Sequence, residues 1–116
     1  RLLSRAFAGR KYKVHTAAGC AEGVAAAGRL RPDCIVVDFH LSDGDAVDVC
    51  GRIRAAGGTR GVPIVVISSD PDAEESAYGE CRADKFYPKT GFLSDMLGGI
   101  AALLAARPPG RSRYRR

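Results

Sequence analysis

Two short, unbroken apolar runs, Cys34-Ile35-Val36-Val37 and Ile64-Val65-Val66-Ile67, constrain this chain more than any other feature. A run that never alternates with polar residues suits a strand buried on both faces, the pattern of parallel sheets. The segment between them carries Ala46, Val49, Cys50 and Ile53 at helical spacing, so the order is strand, helix, strand. Parallel strands need such a crossover, and repetition of the unit predicts an α/β fold around one sheet.

The remaining segments extend the alternation. Leu2 to Ala8 reads as a helix and Tyr12 to Thr16 as a short strand. Ala21 to Leu30 reads as a helix with Val24, Ala27 and Leu30, or Ala21, Val24 and Gly28, on its inner face, closed by Pro32. A helix is expected over Asp43 to Ala56, with Asp43 and Asp45 in its first turn. Asp70-Pro71 opens the Asp72 to Cys81 helix, Lys85 to Tyr87 forms a brief strand, and Phe92 to Ala106 a last helix with Phe92, Met96, Ile100 and Leu103 along its stripe. Gly98 and Gly99 weaken that helix by about 1 kcal/mol each relative to Ala, so packing must hold it.

The 116 residues suit one domain, 1–106, followed by a basic tail, 107–116. Five of the 18 basic residues lie in the tail, which leaves 13 basic and 13 acidic residues in the body, so the net charge of +5 belongs to the tail. That charge suggests at most accessory binding to nucleic acid, and Pro108-Pro109-Gly110 makes a stiff exit that suits a linker to an output domain equally well. No apolar run reaches the roughly 20 residues of a membrane helix and no export signal opens the chain, so a cytoplasmic location without membrane contact is expected. Cys20, Cys34, Cys50 and Cys81 form no C-x-x-C pair and read as free, mostly buried thiols.

Chemistry concentrates where the strands end. Asp38 closes the first apolar run, Ser68 follows the second, and Lys89 lies just beyond the third strand. In open parallel sheets ligands bind outside the carboxyl ends of the strands, and adjacent strands would bring these three tips together. A carboxylate, a hydroxyl and an ammonium supply much of what phosphoryl transfer to an acid requires: a nucleophilic oxygen (Asp38), a cation against a phosphoryl oxygen (Lys89) and a hydrogen-bond donor (Ser68).

Arg31-Pro32-Asp33, Val36-Val37-Asp38, Leu41-Ser42-Asp43-Gly44-Asp45, Ile67-Ser68-Ser69 and Ala83-Asp84-Lys85-Phe86-Tyr87-Pro88-Lys89 together resemble the receiver domain of two-component response regulators, of the chemotaxis-regulator kind, over roughly Leu2 to Ala106. The resemblance implies a flavodoxin-like, doubly wound parallel sheet. It implies that Asp38 is a phosphoacceptor served by a histidine kinase or phosphotransfer protein, that Ser68 and Lys89 are its catalytic partners, and that Ser68 and Phe86 are switch residues. It also implies Mg²⁺ held by Asp38 and the backbone carbonyl of His40, with self-catalysed transfer and dephosphorylation as the only enzymatic activity. Phosphorylation would reshape the face of the Asp72 and Phe92 helices, where a partner or a second copy would bind.

Three positions depart from the pattern. Receivers open with a strand ending in two acids that hold Mg²⁺. This chain opens inside what resembles the helix after that strand and has no counterpart of the pair, so an upstream segment is expected. Ser42 and Thr90 stand where the family has Pro, and a cis bond before Thr90 would cost about 2.5–4 kcal/mol. Two alternatives follow: a pseudo-receiver that binds partners without phosphorylation, and accessory nucleic-acid binding through the Arg111 to Arg116 tail.

Overall fold

The computed structural model describes residues 9, 12–41 and 43–106. Helix α1 (Cys20–Leu30) leads into strand β1 (Ile35–Asp38). Two two-residue strands, β2 (His40–Leu41) and β3 (Gly44–Asp45), then pair antiparallel before α2 (Ala46–Ala55). Strand β4 (Ile64–Ser68), helix α3 (Ala73–Gly79), strand β5 (Lys85–Pro88) and helix α4 (Leu93–Ala106) complete the order.

The main sheet runs β1-β4-β5 with both pairs parallel. Ile35 lies opposite Ile64 and Asp38 opposite Ile67, while Ser68 lies opposite Pro88. Side chains alternate across it. Val37, Ile64, Val66 and Phe86 pack with α1, α2 and α3, and Val65 and Ile67 pack with Met96 and Ile100 of α4. This two-sided burial is why β1 and β4 are apolar up to their last residues, and it establishes the doubly wound α/β architecture. Each fully buried branched side chain in β4 contributes about 1.5–3 kcal/mol through removal from water.

Several boundaries differ from expectation, for physical reasons. Residues 12–17 form no strand: Tyr12 to Thr16 alternates correctly, but among the described residues no neighbouring strand pairs with it, and an extended segment has no ladder on its own. Helix α2 starts later than Asp43, because residues 44–45 pair with residues 40–41, and Asp45 becomes its N-cap by accepting the Asp48 N–H at 3.2 Å. Helix α3 is shorter than expected, Asp70 acting one turn early by accepting the Asp72 N–H at 2.9 Å. Phe92 precedes α4 and is 78% exposed, so the buried stripe is Met96, Leu97 and Ile100. Leu2 to Ala8, read as a helix, and the tail 107–116 lie outside the described residues.

Asp43 serves a helix distant in sequence. Its carboxylate accepts the Cys20 N–H at 2.7 Å and the Ala21 N–H at 3.4 Å, capping α1. Those two bonds, the Cys20 one first, hold its carboxyl below the ordinary value of 3.8. A depressed folded-state value stabilises the fold above the unfolded value and loses that contribution as pH falls through the folded one. Asp43→Asn should therefore lower stability at neutral pH, with the difference from the parent shrinking as pH drops below 3.8 in chemical-denaturation curves; an unchanging difference would show that the charge is not involved.

Two glycines in α4 behave oppositely. A Cβ on Gly98 meets nothing within 4 Å, whereas one on Gly99 would collide with the Tyr87 hydroxyl and lie 2.8 Å from its Cζ. Gly98→Ala should stabilise by roughly 0.5–1 kcal/mol through helix propensity. Gly99→Ala should destabilise by about 1–3 kcal/mol, because the β5 ring must move off the helix. Urea midpoints check both.

None of the four cysteines forms a disulfide with another described residue; Cys20, Cys50 and Cys81 are buried and Cys34 half-buried. Burial pushes the Cys50 thiol up to about 12, which keeps it protonated and unreactive.

Candidate functional site at the strand tips

The parallel register places the C-terminal ends of β1, β4 and β5 along one edge, and the backbone beyond each strand is pinned there. The Phe39 N–H donates to the Ile67 carbonyl at 2.8 Å, and the Lys89 N–H donates to the Ser68 carbonyl at 2.8 Å. These bonds extend the ladders one residue past the strands and fix the directions in which Asp38 and Lys89 leave the sheet.

Asp38 and Lys89 meet although they are 51 positions apart. The Lys89 Nζ lies 2.5 Å from Asp38 Oδ2, and Asp38 Oδ1 accepts the His40 N–H at 3.2 Å. The two side chains are 32% and 44% exposed. A pair this open to water contributes only about 0–1 kcal/mol to stability. The arrangement places a solvent-accessible carboxylate beside an ammonium, a pairing that can take part in group transfer to an acid.

Ser68 completes the tip from below. It is fully buried, and its Oγ accepts the Asp70 N–H at 3.0 Å. Among the described residues no acceptor takes its hydroxyl proton. Phe86 is 8% exposed and already sits inside the core that includes Ala77 and Cys81, and its N–H donates to the Tyr78 hydroxyl of α3 at 3.1 Å. Sequence reading missed this tie between α3 and β5, since nothing in the spacing of Tyr78 and Phe86 signals a contact between a helix and a strand edge.

His40 is exposed, with its ring edge-to-face on Phe39 at 5.1 Å. The neighbouring acids are committed to backbone donors, Asp43 to α1, Asp45 to α2 and Asp70 to the turn before α3. Among the described residues no three His, Cys, Asp or Glu side chains group as a metal site. A Mg²⁺ ion takes oxygens, commonly from one or two carboxylates together with water and phosphate. The Asp38 carboxylate and the His40 carbonyl fit that chemistry as a partial donor set.

Comparison with known proteins gives the family and the fold. A family model, "Response regulator receiver domain", matches residues 1–98. Response regulator MprA of Mycobacterium leprae is 31% identical over 108 residues, covering 92% of this chain and 46% of that protein. The chain thus spans about half the length of the curated relatives it matches. Among solved structures, the non-phosphorylated HemR receiver domain of Leptospira biflexa superposes with a TM-score of 0.80 at 24% identity, covering 93% of this chain and 86% of that one. The receiver domain of sensor histidine kinase PA1611 from Pseudomonas aeruginosa, solved with magnesium coordinated in its active-site cleft, gives 0.78 at 20% identity, covering 90% and 87%.

Proposed function

Because the chain belongs to the response-regulator receiver family of two-component signalling, we propose that Asp38 accepts a phosphoryl group from the phosphohistidine of a histidine kinase or phosphotransfer protein. The observation that carries this reading is the Lys89 ammonium 2.5 Å from a solvent-accessible Asp38 carboxylate at the tip of a buried strand. One Asp38 oxygen attacks phosphorus, the P–N bond to the donor imidazole breaks with its electron pair leaving on nitrogen, and an acyl phosphate forms. Lys89 moves its charge from carboxylate to phosphoryl oxygen as negative charge builds there. The Ser68 hydroxyl donates its free proton to a second phosphoryl oxygen.

Asp38 and the His40 carbonyl would hold Mg²⁺, which when bound neutralises charge on the phosphoryl oxygens.

Drawing Ser68 toward the phosphoryl group pulls on its bond to the Asp70 N–H and thereby on the turn that opens α3. Phe86 already lies inward, so the moving part is this turn and α3, linked to the Phe86 backbone through Tyr78. The surface formed by the Asp72 and Phe92 segments would then change shape and recruit a partner or a second copy. Hydroxylamine treatment of chain phosphorylated by acetyl phosphate should leave a hydroxamate on the peptide containing Asp38. Phosphate that survives the treatment would place the modification elsewhere.

A further inference from the structure

We infer that the opposite end of the sheet carries a binding site for the phosphate groups of a small molecule, built by Arg54, Arg60 and Arg82. These three side chains line a concavity of about 320 Å³, at the lower end of the range of small-ligand pockets. They arrive from separate segments: α2, the loop before β4 and the loop before β5. Ile64 begins β4 at this end and Asp38 lies opposite Ile67, so the pocket lies on the order of 10 Å or more from Asp38 at strand rise.

Arg54 is the fixed wall. Its guanidinium donates to the carbonyls of Arg60 at 2.8 Å, Val62 at 2.6 Å and Arg82 at 3.0 Å, and reaches Asp84 at 3.4 Å. These bonds hold the two loops that present Arg60 and Arg82. Arg60 uses only its Nε internally, on the Arg54 carbonyl at 3.3 Å. Its terminal nitrogens and the whole Arg82 guanidinium face solvent with no acidic partner among the described residues. Asp84, the carboxylate of the cluster, is occupied by Arg54 and the Ile64 N–H. Three cations thus face one committed anion.

Arg82 also holds a backbone φ of 55°, a left-handed conformation that a long side chain adopts only at a cost. Planar guanidinium forks from two loops, converging on a pocket of this size, match the oxygens of a phosphate ester or diphosphate better than a monovalent anion.

The test is titration of the chain, without Mg²⁺, by inorganic pyrophosphate at fixed ionic strength, followed by calorimetry and backbone amide shifts. Saturable binding is expected, with shifts centred on residues 60–62 and 82–84 and not on residues 38–40. Arg60→Gln and Arg82→Gln, both at exposed positions, should each weaken binding about 10-fold, and the double variant should abolish it while phosphoryl uptake from acetyl phosphate stays unchanged. Binding unaffected by the double variant, shifts confined to the Asp38 edge, or no saturation would overturn the assignment. So would a short DNA duplex binding where pyrophosphate does not.

Discussion

Lys89→Ala should lower the rate of phosphoryl uptake by about 100-fold while changing stability by less than about 1 kcal/mol. The rate effect follows from removing a preorganised cation that touches the nucleophilic carboxylate, a loss of the size seen when one charge-stabilising donor is deleted. The small stability effect follows from exposure of the pair, because water already screens both groups. Lys89→Arg should recover only part of the rate, since a planar guanidinium cannot occupy the point position of the ammonium. Stopped-flow measurement with acetyl phosphate and a urea curve on the same variants separate the two effects. A variant with parental rate would remove Lys89 from the chemistry, and one that fails to fold would show the pair to be structural.

Arg54→Ala is expected to have the largest effect on stability, about 2–4 kcal/mol. Its side chain is 14% exposed and satisfies three carbonyls on two loops, and a charged donor to such groups typically contributes about 1.5–3 kcal/mol per bond, with partial compensation by water after its loss. Asp84 would also lose its cation while still accepting the Ile64 N–H. Arg54→Lys should restore little, because three donors on a single nitrogen cannot span carbonyls from separate loops. A denaturation midpoint shifted by less than the equivalent of 1 kcal/mol would mean that the loops hold themselves.

Much of the fold was legible because burial on both faces leaves a plain mark. The β1 and β4 runs and the Ala46, Val49, Cys50 and Ile53 stripe of α2 were read with the right type and near-right ends. What stayed hidden depends on partners. Tyr12 to Thr16 has strand-like alternation, yet a strand exists only beside another one. Asp43 looked like a first-turn residue of its own helix, and its actual partners, the Cys20 and Ala21 N–H groups, lie more than 20 positions away. Phe92 fits the periodicity of α4 but precedes the first turn, where its ring is mostly exposed.

The candidate site shows the same division. The tips of consecutive parallel strands must lie together, so Asp38, Ser68 and Lys89 could be grouped from order alone. Their hydrogen bonds could not. The acceptance of the Asp70 N–H by Ser68 and the buried pose of Phe86 depend on how the turn after β4 closes, and short loops leave few sequence marks of their geometry. The arginine cluster at the other end was invisible for a further reason: Arg54, Arg60 and Arg82 are ordinary surface residues in sequence, and only the meeting of two loops over α2 makes them a group.

The central claim is that Asp38 is a phosphoacceptor, and intact-mass spectrometry addresses it most directly. The chain is incubated with Mg²⁺ and acetyl phosphate beside an Asp38→Asn control. A gain of one phosphoryl mass in the parent and none in the control is the predicted result. An equal gain in both would contradict the assignment of Asp38, and no gain in the parent, with or without an added upstream segment, would leave the fold as a partner-binding module that does not use phosphoryl transfer.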